Sequence, residues 1–312
     1  MLLVGALTAR AATTNYFTSF ESAEGYTNGI GLVGQQGWSG YMVSTNLTFT
    51  SAGNFGNGIT NLGLGGSGQA AFVGRTPLPK SYNYFVEVFH PINILPANSG
   101  QPVVTFSTRL KIVDSNNGHW DYFDWEVFNI AGAKLFGLEF DNDVHGFYYY
   151  DSTNKFTTLG TFSPGVEYLL QVTMNFASNR CTVQLGGVTY TNVLPLTATA
   201  SALDLGEISA QWLPQIPASP GNNFMLFDNF LVASDVVRPA PPQLRVVQPG
   251  GTNAAGLRLT GQDGYRFAVE ASTNLVNWLA VSTNTLSGGK ADYTDPAAVG
   301  RPARYYRARW VP

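Results

Sequence analysis

The chain has 312 residues, 44% apolar and only 12% charged, with 34 glycines and a formal net charge of −3. That composition excludes a helical cytosolic enzyme, which would be rich in Glu, Lys, Ala and Leu. It also excludes a disordered chain, which needs low hydrophobicity and high net charge. No basic field spans the molecule, so a general nucleic-acid partner is not expected.

The chain opens on an apolar stretch, Leu2 to Leu7, followed by Ala9-Arg10-Ala11. That is an A-x-A-like cleavage site without a preceding basic region. Residues 1–12 are expected to be the tail of a secretory signal, with a first β-strand as the alternative. No later run approaches 18 uninterrupted apolar residues, so no membrane span is expected. Gly63 to Gly68 is glycine-rich, but no helical pattern follows it. A flexible loop is expected there rather than a phosphate cradle.

From residue 84 onward, short alternating runs separated by turn residues predict strands. They cover 84–89, 103–113, 122–128, 134–140, 146–150, 166–176, 181–185, 188–190 and 223–232. Val104, Phe106, Thr108, Leu110 and Ile112 alternate against Thr105, Ser107, Arg109 and Lys111. In 119–128 the two-residue period turns Phe123, Trp125 and Val127 towards a core. Trp120, Tyr122, Asp124 and Glu126 then face the other way. The next strand adds Glu139 to that open face. Aromatic platforms beside carboxylates suit the apolar faces and hydroxyls of a sugar. Arg109 and Lys111 are candidates to pair with these acids; a plain solvated strand face is the alternative.

His90, His119 and His145 lie on separate segments and are not expected to form a zinc site. Asp141 and Asp143 offer weak calcium-binding oxygens, but Asp and Asn also favour hairpin turns. Asp228-Asn229 is a further weak oxygen pair. Cys181 is the single cysteine and shares a face with Val183 and Leu185. A buried, inert thiol is expected.

The Pro-rich piece 238–242 reads as a linker. Charge divides at the same place. Residues 1–237 carry 8 Lys and Arg against 16 Asp and Glu; residues 238–312 carry 9 against 4. Two units are therefore expected, 13–237 and 243–312. Arg301, Arg304, Arg307 and Arg309 gather near the C-terminus, either on a solvated strand face or against an anionic partner.

Two resemblances follow from these residues. The strand–turn–strand–Gly-Gly–strand run over 167–190, the ending Phe227-Asp228-Asn229-Phe230-Leu231-Val232 and the opening Phe20-Glu21-Ser22…Gly37-Trp38 together resemble concanavalin A-like, laminin-G-like jelly rolls. Ser272-Thr273-Asn274-Leu275…Trp278 and Tyr305-Tyr306-Arg307-Ala308 resemble a small fibronectin-III-like module of secreted bacterial proteins. The resemblance implies an all-β protein, a two-sheet jelly-roll sandwich followed by a smaller β-sandwich. It also implies that an open sheet face could take a polysaccharide or cell-surface glycan.

Glycosidases of the concanavalin A-like class carry E-x-D-x-(x)-E on a strand. Here Asp121-x-x-Asp124-x-Glu126 lacks the leading Glu, and Asp121 is expected to point away from the other two. The expected function is a secreted, non-catalytic glycan- or surface-binding protein. A polysaccharide-degrading enzyme using Asp124 and Glu126 is the alternative, and a purely structural extracellular module a third.

Overall fold

The computed structural model describes residues 12–44, 48–75, 85–96, 100–199, 202–248 and 254–311. The expected leader therefore lies almost wholly outside the described residues. The chain divides into two compact units, Ala12–Asp235 and Val236–Pro312.

The larger unit is a sandwich of two antiparallel sheets of jelly-roll type. Among the described residues the first sheet runs β14 (Val188–Leu194), β13 (Arg180–Leu185), β12 (Tyr168–Asn175), β7 (Val103–Val113), β16 (Phe224–Asp235), β5 (Ala70–Gly74), β4 (Asn57–Thr60), and β1 (Thr13–Thr18) pairs β16 off this path. The second runs β11 (Phe156–Thr161), β10 (Gly146–Asp151), β9 (Lys134–Asp141), β8 (Tyr122–Phe128), β15 (Leu205–Leu213), β6 (Phe85–Ile94), β2 (Ser39–Val43), β3 (Phe49–Ser51). No described helix is long and apolar enough to cross a membrane.

The two-residue period explains the layers. On β7, Val104, Phe106, Thr108, Leu110 and Ile112 are buried while the residues between them are partly exposed. Phe123, Trp125 and Val127 of β8 turn inward as the alternation requires. The aromatic centre is Trp125, with ring centroids 5.1 Å from Phe106 and 5.3 Å from Phe227. Cys181 is buried in this core, and burial pushes its thiol up to about 12. Such a thiol is an inert apolar filler.

The glycine-rich loop is not slack. Gly68 and Gln69 donate their N–H groups to Glu21 Oε1 at 2.7 and 3.2 Å. Gly65 N–H reaches Glu167 Oε2 at 3.1 Å. Asp228 Oδ2 accepts from the Ser67 hydroxyl and from Leu64 N–H. Three of the protein's own carboxylates thus occupy the donors that a phosphate would need. Asp228, a weak cation candidate in the sequence, is spent on this anchoring.

The smaller unit packs a sheet β17 (Gln243–Gln248), β18 (Ala255–Thr260), β21 (Lys290–Asp295) against a sheet β20 (Leu279–Thr285), β19 (Arg266–Ser272), β22 (Tyr305–Trp310). Its core includes Leu257, Phe267, Val269, Tyr306 and Trp310. Three of the four clustered arginines bind carboxylates within the unit, while Arg301 donates to the Ala297 carbonyl. Arg307 and Arg309 bind Glu270 at 2.6 and 3.1 Å. Arg304 binds Asp295 at 2.5 Å. The Arg307 guanidinium also lies 4.3 Å from the Trp278 ring centroid. A free, solvated basic face is therefore not what these residues form.

Candidate functional site

The face of the second sheet that points away from the first carries the polar residues of its central strands. Register brings them together. Asp124 of β8 stands opposite Glu139 of β9, and Glu139 opposite Tyr148 of β10. Glu126 stands opposite Gly137, and Gly137 opposite Tyr150. On the other side of β8, Gln211 of β15 pairs Asp124 and is followed by Glu87 of β6.

Gly137 is what lets Tyr150 reach β8. A Cβ at residue 137 would sit 2.1 Å from Tyr150 Cζ, so the phenol lies across the bare backbone of β9. The Tyr150 hydroxyl is 2.7 Å from both Asp124 Oδ2 and Glu126 Oε1. Glu126 also accepts from Lys134 Nζ at 3.1 Å and from Gln211 Nε2 at 2.6 Å. Gln211 Nε2 lies 3.3 Å from Glu87 Oε1. Lys134 Nζ sits 4.6 Å above the Tyr150 ring.

Burial dominates the electrostatics. Asp124 is 3% exposed; burial, then the charges of Glu139 and Glu126, push its carboxyl well above the usual range. Burial raises Glu87 to about 7, and burial together with Asp141 does the same for Glu139. A phenol has one proton to give. Facing two carboxyl oxygens, it attracts both only if one of them carries a proton. Burial favours the proton on Asp124; with it in place, Oδ2 donates to the Tyr150 hydroxyl and that hydroxyl donates to Glu126. Asp124 Oδ1 is then a carbonyl oxygen, buried without a partner.

Tyr122, Asp124, Glu126 and Glu139 thus share one face, as the alternation predicted. Three expectations need correction. Trp120 precedes β8 and is half-buried, its indole N–H bound to Asp114 Oδ1 at 3.1 Å. Strand alternation does not extend to it, so it is not on the strand row with Tyr122. Asp124 and Glu126 are buried under Tyr150 and Lys134 rather than open to solvent. Arg109 and Lys111 lie on β7 of the other sheet, where Arg109 binds Glu167 at 2.6 Å. The cation among these acids is Lys134. Asp121 does point away, inward, and accepts from the Trp212 indole at 2.8 Å.

The accessible part of the face is Tyr122, Glu139, Asp141 and Tyr148, all half-buried. Exposed aromatics flank it: Phe156 on β11, and Tyr41 and Phe49 on β2 and β3. Asp141 Oδ1 closes the hairpin turn, accepting from the N–H groups of Asp143 and Val144 at 2.9 and 3.3 Å. Among the described residues, no group of three or more His, Cys, Asp or Glu is placed to hold a metal ion. Tyr148, Tyr150 and Lys134 were within reach of sequence reasoning, because the turn after Asp141 fixes the β9–β10 register. Glu87 and Gln211 carry no local signal: non-local strand pairing brings them here.

No family model and no curated protein matches the chain. Among solved structures it is similar to a sialidase at 11% identity, covering 54% of this chain and 16% of that one, with a TM-score of 0.41. It is also similar to a conserved carbohydrate esterase of Shiga toxin-encoding bacteriophage phi24B, at 13% identity, 72% and 100% coverage and a TM-score of 0.43. A family 7 alginate lyase is similar at 14% identity, 64% and 94% coverage and a TM-score of 0.39. None of these likenesses assigns a ligand or a reaction to this chain.

Proposed function

We propose that the outer face of the second sheet binds a glycan outside the cell, without cleaving it. Tyr122 and Tyr148 supply apolar ring faces, and Glu139 supplies hydroxyl acceptors. Asp124, Glu126, Glu87 and Gln211 form the buried base that holds this row in place. The observation that carries the reading is the cross-strand alignment of Glu139 between Asp124 and Tyr148, with Tyr122 beside it on the same face. Carboxyls far outnumber cations on this face, with Lys134 the one cation described above. It therefore suits neutral rather than acidic sugars.

Binding of neutral oligosaccharides, measured by calorimetry after a glycan array, tests this. Tyr122→Ala and Tyr148→Ala should each cost about 1–2 kcal/mol, a roughly 5–30-fold loss. Absence of binding to any glycan, or unchanged affinity in both variants, would overturn it.

One observation favours a hydrolase as a second reading. Glu139 stands opposite Asp124 across the strands and burial raises it to about 7, the range of a general acid near neutrality. The pair Asp124 and Glu126 fits less well, since both are buried against one phenol and leave no room for a scissile bond between them. Release of reducing sugar that Glu139→Gln abolishes would decide for the enzyme.

A further inference from the structure

The outer side of the first sheet carries a cleft of about 300 Å³ at its β4 edge. Asn28, Ile30, Gly58, Thr60, Phe72 and Arg75 are among the residues that line it. Phe72 of β5 pairs with Gly58 of β4, and its ring lies over that bare backbone: a Cβ on Gly58 would be 2.9 Å from Phe72 Cε1. Ile30 is 47% exposed at the rim.

Arg75 is the unusual member. Its φ is +69°, a left-handed conformation that Gly and Asn adopt easily and Arg rarely does. Its N–H is held there by Asn223 O at 3.2 Å. Its guanidinium carbon stands 5.2 Å from the Phe224 ring centroid. Among the described residues Arg75 forms no ion pair. A cation over a ring face is attracted without spending its N–H donors, so the Arg75 guanidinium keeps them for another partner. Strain of this kind is retained where the surroundings fix a side chain for use.

We propose that this cleft binds the oxyanion of an acidic sugar residue, with the Arg75 fork on the carboxylate or sulfate and Phe72 and Ile30 against the sugar's apolar face. Planar, bidentate recognition of such oxyanions is what arginine does best. The net charge of residues 1–237 is negative, so long-range attraction does not bring an anion here; local donors must. The site is on the opposite sheet from the glycan face proposed above and selects acidic rather than neutral sugars, so it stands or falls independently.

Calorimetric titration of the whole protein with an oligogalacturonate, a sulfated disaccharide and cellobiose tests the proposal. Arg75→Gln and Arg75→Asn remove the guanidinium, and Asn suits the left-handed backbone, so at least one variant should keep the wild-type unfolding transition. Arg180→Gln controls for loss of any exposed arginine. Wild type should bind at least one acidic probe, and the Arg75 variants should lose about tenfold or more of that affinity. Arg180→Gln should bind as wild type does. Which probe binds separates carboxylate from sulfate. Failure of both acidic probes to bind wild type, or affinity that survives in the Arg75 variants, would overturn the site. So would cellobiose binding that the Arg75 variants lose as they lose the acidic probes; cellobiose binding that survives in those variants belongs to the face on the second sheet.

Discussion

At the scale of single residues, the buried carboxyl network has a definite pH signature. Glu87 has an ordinary value of 4.5 and is raised to about 7 in the fold, chiefly by burial. A folded-state value above the unfolded one means that the native state binds the proton more tightly. The associated stability is fully present below about 4.5 and lost as pH rises through 7. Glu87→Gln removes this titration while keeping an acceptor for Gln211. Relative to wild type, the variant should therefore gain stability between pH 5 and 8, by about 2–3 kcal/mol at most. Urea unfolding at those two pH values reads it. His90, lowered mainly by its own burial, pulls the opposite way in this range, but it is common to both proteins and cancels in the difference. A difference that stays flat with pH would mean that Glu87 is not held protonated.

At the scale of elements, β8 separates two tryptophans that look alike in the sequence. Trp125 is 1% exposed and packs on Phe106, Phe227 and Phe230. Trp125→Ala should cost about 3–5 kcal/mol. Trp120 lies before the strand and holds one hydrogen bond to Asp114, so Trp120→Ala should cost about 1 kcal/mol. Denaturant midpoints of the two variants check this.

The same strand shows what was legible. Phe123, Trp125 and Val127 against Tyr122, Asp124 and Glu126 is a clean alternation, and β9 and β10 follow through short turns that fix their register. Alternation alone does not say where the strand starts, so it extends the row to Trp120, which lies before β8. Nor could it say that Tyr150 closes over the acids, because that depends on the missing side chain at Gly137. β15 leaves no such pattern in the sequence. It is a central strand buried on both faces, so Leu205–Leu213 shows no alternation to read. With it went Gln211, and through Gln211 the link to Glu87.

At the scale of the whole molecule, the two units each have a core of their own. The Pro-rich connection at 238–242 follows directly on the end of β16. Limited proteolysis should cut near residues 236–242 and leave two resistant fragments, identified by mass. Cleavage scattered through both units, with no stable intermediate, would contradict separate folding. The acidic excess of residues 1–237 and the basic excess beyond them were plain from composition. That Arg307 and Arg309 converge on Glu270 was not, since that pairing joins strands distant in sequence.

The anchored glycine loop bears on the order in which the chain assembles. Its three carboxylate anchors are remote in sequence: Glu21 lies 47 residues before Gly68, Glu167 lies 102 after Gly65, and Asp228 lies 164 after Leu64. Contacts of such separation form late, because the intervening chain must close first. During synthesis the loop leaves the ribosome with only Glu21 available to it. It can take its final shape only after β16 has emerged and inserted between β5 and β7. Locking of this loop therefore marks completion of the larger unit, and a nascent chain halted before residue 228 would hold it open.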